Sequence, residues 1–108
     1  MKVQPILVLI TAPGNNTARV LADRLVNERI AACVNILPGV VSIYTWQGEP
    51  TEDDEVMLIV KSTQELFADR LVPLVKEIHP YDVPEIIALP IILGSEDYLK
   101  WIAEMTGD

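Results

Sequence analysis

Apolar and polar residues alternate along the chain in two different periods, which divide its first third into a strand and a helix. The run Pro5–Ala12 is rich in Ile, Leu and Val and predicts a buried strand. A turn follows at residues 13–17. Apolar residues then recur at helical spacing through residues 18–26, with charged residues on the opposite face. This pattern predicts an amphipathic helix of about four turns.

The middle of the chain predicts one unusually long β-hairpin. Its first strand runs from residue 32 to about residue 47, and Pro38-Gly39 in its middle predicts a bulge, because proline cannot donate to a regular strand ladder. Residues 48–51 predict the turn, and the acidic residues 52–54 are interpreted as an exposed, solvated part of it. Residues 55–61 predict the returning strand, which is apolar on both faces.

The last part predicts a helix, a strand and a second, shorter helix. Ser62 with Glu65 fits a capping box at the start of the first of these helices, and Pro73 should kink that helix or delay its regular part. Residues 85–93 predict a fourth strand, in which Pro90 favours an edge or a bulge. Ser95 is the predicted cap of the final helix.

The resulting order, β-α-β-β-α-β and a short C-terminal helix, predicts an α+β, ferredoxin-like sandwich that forms one domain over residues 1–108. Two helices cover one face of the sheet and leave the other face bare. Because the third strand is apolar on both faces, the bare face predicts a partner, most simply another copy of the chain. A hydrophobic fraction of 50% fits that expectation.

Charge argues against two kinds of partner, nucleic acids and anionic membrane surfaces. The formal net charge is -8, from 8 basic and 16 acidic residues, and no basic patch is visible. An RNA-binding domain with the same strand order, a DNA-binding protein and an anionic membrane surface are therefore disfavoured. The N-terminal apolar run is too short for a signal-peptide core or a membrane span, so the expected location is the cytoplasm.

Few residues carry obvious chemistry. His79 is the single histidine, and imidazole is a good ligand for copper, although the same residue can simply position its loop. Cys33 is the single cysteine and is either a buried structural residue or part of a pocket. Trp46 and Trp101 are interpreted as core or interface anchors. No phosphate loop, Cys-x-x-Cys or His-Glu-x-x-His motif is present.

Several stretches resemble the CutA family of divalent-cation-tolerance proteins, and the resemblance covers nearly the whole chain. They are Thr11-Ala12-Pro13, residues 31–36 with Pro38-Gly39-Val40, Ser42-Ile43-Tyr44, Trp46-Gln47-Gly48, Lys61-Ser62, residues 79–86 (HPYDVPEI) and residues 98–102. The resemblance implies a homotrimer similar in architecture to PII signalling proteins, with Tyr44 and Trp46 at the interface. It implies no enzymatic activity.

The same resemblance implies candidate site residues. His79 matches a family copper ligand, but Ile10 and Ile78 stand where a copper-binding member has its other two ligands, so only weak metal binding is expected. Cys33, Glu55, Lys61 and Tyr81 match polar positions that line a cleft between subunits.

Three functions compete. The first is a non-enzymatic homotrimer that acts in tolerance of copper or another divalent cation. The alternative is a PII-like sensor that binds a small metabolite or anion in the clefts, with Lys61 as the anion contact. The third is an enzyme that uses Cys33 or His79, and it rests on fold analogy alone.

Overall fold

A computed structural model describes residues 3–107, which form one four-stranded sheet with helices on both of its faces. The elements in chain order are β1 (Pro5–Ala12), α1 (Asn15–Asn27), β2 (Cys33–Trp46), β3 (Glu49–Thr63), α2 (Gln64–Leu66), a π-helical segment (Phe67–Leu71), α3 (Val72–Ile78), β4 (Ile86–Pro90) and α4 (Glu96–Met105). Within the described residues, no helix combines the length and the hydropathy that a membrane crossing requires.

The sheet confirms the predicted ferredoxin-like fold. Its strand order is β2-β3-β1-β4, and every neighbouring pair is antiparallel. β1 and β3 are central, while β2 and β4 are the edge strands. The predicted bounds of β1 match the structure, whereas β4 is shorter than predicted and ends at Pro90. The N–H of Ile91 still bonds to the carbonyl of Pro5 at 3.0 Å, but Pro5 has no N–H with which to return a bond.

The main core lies between the sheet and the layer formed by α1 and α3. Alternate residues of the two central strands point into it, as the period of two requires. Ile10, Leu58 and Val60 are fully buried there against Leu21 and Leu25 of α1. Each such side chain contributes about 1.5–3 kcal/mol to folding through its burial.

The opposite face of the sheet is only partly covered, so the prediction of a bare face needs correction. α4 contacts β3 and β1 on this side and brings Tyr98 next to Cys33. Beyond α4 the face stays apolar and open to solvent, and Leu37, Ile87 and Leu89 are each about half exposed. On this part of the face, no layer of the described residues covers the apolar side chains.

The β2–β3 hairpin extends well past the other strands. β1 pairs with residues 56–63 of β3, so residues 49–55 pair with β2 alone and form a two-stranded arm. The register shifts between Leu37 and Val40, which confirms the bulge predicted at Pro38-Gly39, and Gly39 takes a φ of 82° there. Val41 and Ile43 of the arm are more than half exposed.

The acidic residues 52–54 lie in β3 and not in the turn, so that interpretation was wrong. Asp53 and Glu52 oppose Ser42 and Ile43 across the ladder, and the turn itself consists of Gln47 and Gly48. Acidic residues are poor strand formers, but they pair here with a long β-rich partner strand, and such context decides strand formation. Alternation also sends Asp53 and Glu55 to one face and Glu52 and Asp54 to the other.

The capping box predicted at Ser62 is absent. β3 continues to Thr63, and the buried Ser62 hydroxyl donates instead to the carbonyl of Ile30 at 2.5 Å. Glu65 accepts a hydrogen bond from the backbone N–H of Gln4. The strand pairing with β1 and the hydrogen bond to Ile30 therefore replace the local capping interaction.

Pro73 has the effect predicted for it. The regular helix α3 begins with proline in its first turn, directly after the π-helical segment, and the N–H of Val72 bonds to the carbonyl of Phe67. Proline has no N–H with which to continue the α-helical hydrogen-bond ladder. The helix before it therefore takes the wider π-helical turn, and the regular α-helix begins again at Val72.

Ser62→Ala should lower the free energy of unfolding by about 1–3 kcal/mol, because it leaves the buried carbonyl of Ile30 without this donor. The measurement is urea unfolding followed by circular dichroism at one fixed protein concentration. Ser95→Ala is the control, since Ser95 makes no side-chain cap bond, and it should change the value by about 0.5 kcal/mol or less. Equal effects in the two variants would contradict the role given to Ser62.

Candidate functional site

His79 fixes the loop between α3 and β4. It is the residue that ends α3, and its side chain is buried with 6% exposure. Its Nε2 lies 2.7 Å from the carbonyl oxygen of Thr11, and its Nδ1 accepts the backbone N–H of Tyr81 at 3.2 Å. A carbonyl can only accept, so Nε2 carries the proton. Both ring nitrogens are thus occupied, and the ring ties β1 to the loop that carries Tyr81.

Tyr81 covers the carboxylate of Glu55. Its hydroxyl donates to Oε2 of Glu55 at 3.1 Å, and Glu55 is 7% exposed at the point where β3 leaves the edge of β1. Partial burial, followed by the hydrogen bond and the negative charge of Glu55, raises the pKa of Tyr81 to about 12. The pair therefore stays a neutral phenol bonded to a carboxyl group throughout the physiological range.

Tyr44 forms a second tyrosine–carboxylate pair in the arm. Its hydroxyl bonds to Asp53, and this bond is the largest of the causes that raise the pKa of Tyr44. Tyr44 lies on the same face of the hairpin as Val40, which opposes Glu55. The Tyr44–Asp53 pair and the Tyr81–Glu55 pair therefore border the same open space.

That space is a cleft of about 700 Å³ between the arm and the 80–85 loop. The residues that line it are Thr11, Ser42, Ile43, Tyr44, Trp46, Glu55, Pro80, Tyr81, Asp82, Val83 and Glu85. Its charged lining residues are all acidic. Its volume falls in the range of small-molecule sites.

The structure divides the four residues that the sequence analysis grouped as one pocket. Glu55 and Tyr81 lie in the cleft, but Cys33 and Lys61 oppose each other six residues further along β3, about 20 Å away at strand spacing. Lys61 bonds to Asn35, and Cys33 is half-buried beside Tyr98. Within one chain they belong to two separate places on the same face.

The described residues do not fit a copper site within one chain. Among residues 3–107, no group of three or more His, Cys, Asp and Glu side chains is arranged to hold a metal ion. A ligand role for His79 would also require the loss of one of its two hydrogen bonds. The prediction that His79 binds metal is not tested by these distances and stays a prediction.

Sequence reasoning missed several residues of the site. Glu85 was interpreted as the first residue of the fourth strand and Asp82 was not singled out, yet both line the cleft. Asp53 was interpreted only as part of a solvated turn, yet it bonds to Tyr44. The available signal was the concentration of acidic residues around Tyr81. The predicted interface residues Tyr44 and Trp46 also prove to be lining residues of the cleft.

The fold and the cleft place the chain in a class of small ferredoxin-like domains with an extended hairpin arm. Residues 6–105 match the family of CutA1 divalent ion tolerance proteins. The chain is 55% identical over 101 residues to the divalent-cation tolerance protein CutA of Thermus thermophilus, covering 94% of this chain and 97% of the relative. It is 45% identical to chloroplastic CutA of Arabidopsis thaliana, covering 96% of this chain and 57% of the relative.

Solved structures agree with the sequence relatives. The divalent cation tolerance protein Cut A1 from Thermus thermophilus superposes with a TM-score of 0.92 at 54% identity, covering 95% of this chain and 99% of that one. CutA1 from Oryza sativa superposes with a TM-score of 0.94 at 43% identity, covering 98% and 96%. The chain belongs to the CutA family.

Glu55→Gln should lower the pKa of Tyr81 from about 12, because it removes the negative charge beside the hydroxyl, while burial keeps the pKa above 10.0. An absorbance titration of tyrosinate measures this, and Tyr81→Phe identifies the component among the three tyrosines. The unfolded chain releases this proton near pH 10, so its stabilising effect is complete below that pH and is lost between pH 10 and 12. An unchanged titration in Glu55→Gln would contradict the pairing.

Proposed function

We propose that the chain acts as a non-enzymatic homotrimer in tolerance of divalent cations. The observation that carries this proposal is the missing layer on the sheet. Leu37, Ile87 and Leu89 are half exposed on one apolar face, and Val41 and Ile43 of the arm are more than half exposed. Isolated two-stranded hairpins are marginal in water, so the arm gains stability when other copies pack on it. Family membership supplies the link to divalent cations.

The number of three copies follows from the resemblance to PII-like trimers. The two edge strands, β2 and β4, also offer unpaired backbone groups that another copy can meet. Tyr44 and Trp46 remain the proposed interface residues, since they are 40% and 50% exposed on the arm. A location in the cytoplasm stays a prediction, and one relative is named chloroplastic.

The cleft supports the alternative function, a sensor of a small ligand. Its size and its mixture of aromatic and ionisable side chains are typical of ligand sites. The predicted anionic ligand gains no support from the cleft, because Lys61 lies outside it and bonds to Asn35. A catalytic role for Cys33 or His79 finds no nucleophile–base pair, since the two residues lie in different places.

Leu37→Glu should disrupt the trimer, because it places a charge on the apolar face that another copy would cover. Native mass spectrometry or sedimentation velocity should give three times the 12.0 kDa of one chain for the unsubstituted protein and a smaller mass for the variant. Val20→Glu is the matched control, since Val20 has similar exposure (49% against 53%) but lies on α1. A monomer in the unsubstituted protein, or equal effects of both variants, would contradict the proposal.

A copper(II) titration read by native mass spectrometry tests the metal prediction at His79. We expect no stoichiometric uptake at equimolar copper, because both ring nitrogens are occupied and no other ligand cluster stands nearby among the described residues. Uptake in excess copper that disappears in His79→Gln would assign weak binding to His79. Three tightly bound ions per trimer at equimolar copper would contradict this expectation.

A further inference from the structure

The charged groups of the cleft select for cations. Glu55, Asp82 and Glu85 line it, and no lysine or arginine does so within residues 3–107. The chain as a whole carries a net charge of -8. A cleft with walls of one sign concentrates the field and raises the local concentration of the opposite charge. An anionic ligand would meet repulsion from every ionised group in this cleft.

Three aromatic side chains contribute to the remaining walls of the cleft. Tyr44 and Trp46 come from the arm, and Tyr81 comes from the opposing loop. Aromatic faces attract ammonium groups through the ring quadrupole, and they also contact the carbon skeleton of an organic ligand. Carboxylates beside aromatic rings therefore suit a cation that has an apolar body.

Glu55 offers an unused acceptor to such a ligand. Glu55 as a whole residue is 7% exposed, and its Oε2 accepts the hydroxyl of Tyr81. Its Oε1 has no hydrogen-bond donor among the described residues, yet it is not sealed from solvent, so it opens to the cleft that Glu55 lines. An ionised carboxylate accepts several hydrogen bonds, and one that is this buried favours an additional donor.

The spacing of the acidic groups favours an organic ion over a metal. Within residues 3–107, no three of these side chains converge as a metal site requires. Magnesium and calcium bind six or more oxygen atoms, several of which commonly come from carboxylates. Separated carboxylates in a cleft of about 700 Å³ match a ligand whose positive charges are also separated.

We infer that the cleft formed by the arm and the 80–85 loop binds an organic ion with two or more ammonium groups, one of which donates to Glu55. This inference rests on the proposal that the cleft is a ligand site, and it names the chemical class of the ligand. Tyr44, Trp46 and Tyr81 contact the carbon chain, while Asp82 and Glu85 hold the further ammonium groups.

Isothermal titration calorimetry of the full chain tests the inference, with spermidine as the probe. Citrate and magnesium chloride are titrated separately at matched ionic strength, so that an anion or a metal is tested in the same cleft. We expect saturable binding of one spermidine per copy and no saturable binding of citrate or magnesium. Native mass spectrometry of the same sample gives the number of copies, so failure of the trimer proposal is read independently of ligand binding.

Glu55→Gln removes the buried charge with little change of shape and should weaken spermidine binding roughly 10- to 100-fold. Glu77→Gln is the matched control: it removes one charge from α3, where Glu77 makes only an exposed contact with Arg24, and it should leave the affinity unchanged. The double variant Asp82→Asn, Glu85→Gln changes exposed loop residues, so it keeps the test valid even if Glu55→Gln unfolds. It should weaken binding several-fold.

Three results would overturn the inference. They are the absence of saturable spermidine binding, an equal loss of affinity in Glu77→Gln, and saturable citrate or magnesium binding that depends on Glu55. Absence of binding in a confirmed trimer is the result that separates the two proposals. That result would leave the trimer proposal in place and reject a free ligand.

Discussion

The structure depends on one mismatch of length: β2 and β3 have 14 and 15 residues, whereas β1 has 8. Because β3 extends beyond the end of β1, only β2 and β3 remain in the sheet from Glu55 to the turn. The space beside β3 that β1 no longer fills is closed by the loop after α3, and the cleft lies in this step. The exposed arm and the cleft therefore have the same origin, and neither would exist in a ferredoxin-like domain with strands of equal length.

His79 holds this step in place. Its ring joins the carbonyl of Thr11, near the end of β1, to the backbone of Tyr81, and Tyr81 in turn reaches Glu55 on β3. Both nitrogens of the buried imidazole are hydrogen-bonded, and these two bonds fix the position of the loop. This chain of hydrogen bonds accounts for the position of the loop, since the same geometry that positions Tyr81 occupies both nitrogens of His79.

The sequence predicted the elements whose local and tertiary preferences agree. The apolar run of β1 and the Pro38-Gly39 bulge were correct because period-two burial and the missing N–H of proline act at the position itself. The capping box at Ser62 was wrong because a distant carbonyl, that of Ile30, competes for the hydroxyl. The start of β3 was missed because acidic residues enter a strand only when a partner strand is already there.

The candidate site was predictable by residue type but not by arrangement. Glu55 and Tyr81 line the cleft of one chain, whereas six residues of extended strand separate Lys61 from Glu55 by about 20 Å, so a shared cleft between subunits stays a prediction. That separation follows from the strand itself and is independent of the resemblance that grouped the residues. Asp82 and Glu85 lack any pattern of their own, so only the fold shows that their loop faces the arm.

Assembly and occupancy of the cleft are physically linked through the arm. Tyr44 and Trp46 line the cleft and also belong to the exposed hairpin, so a copy that covers the arm changes the solvation of the cleft walls. Excluding water lowers the local dielectric and strengthens the attraction between a buried carboxylate and a cation. A ligand that prefers the assembled form must stabilise that form by the same free energy, since linkage is reciprocal. The arm is thus the element through which self-association and ligand binding would affect each other.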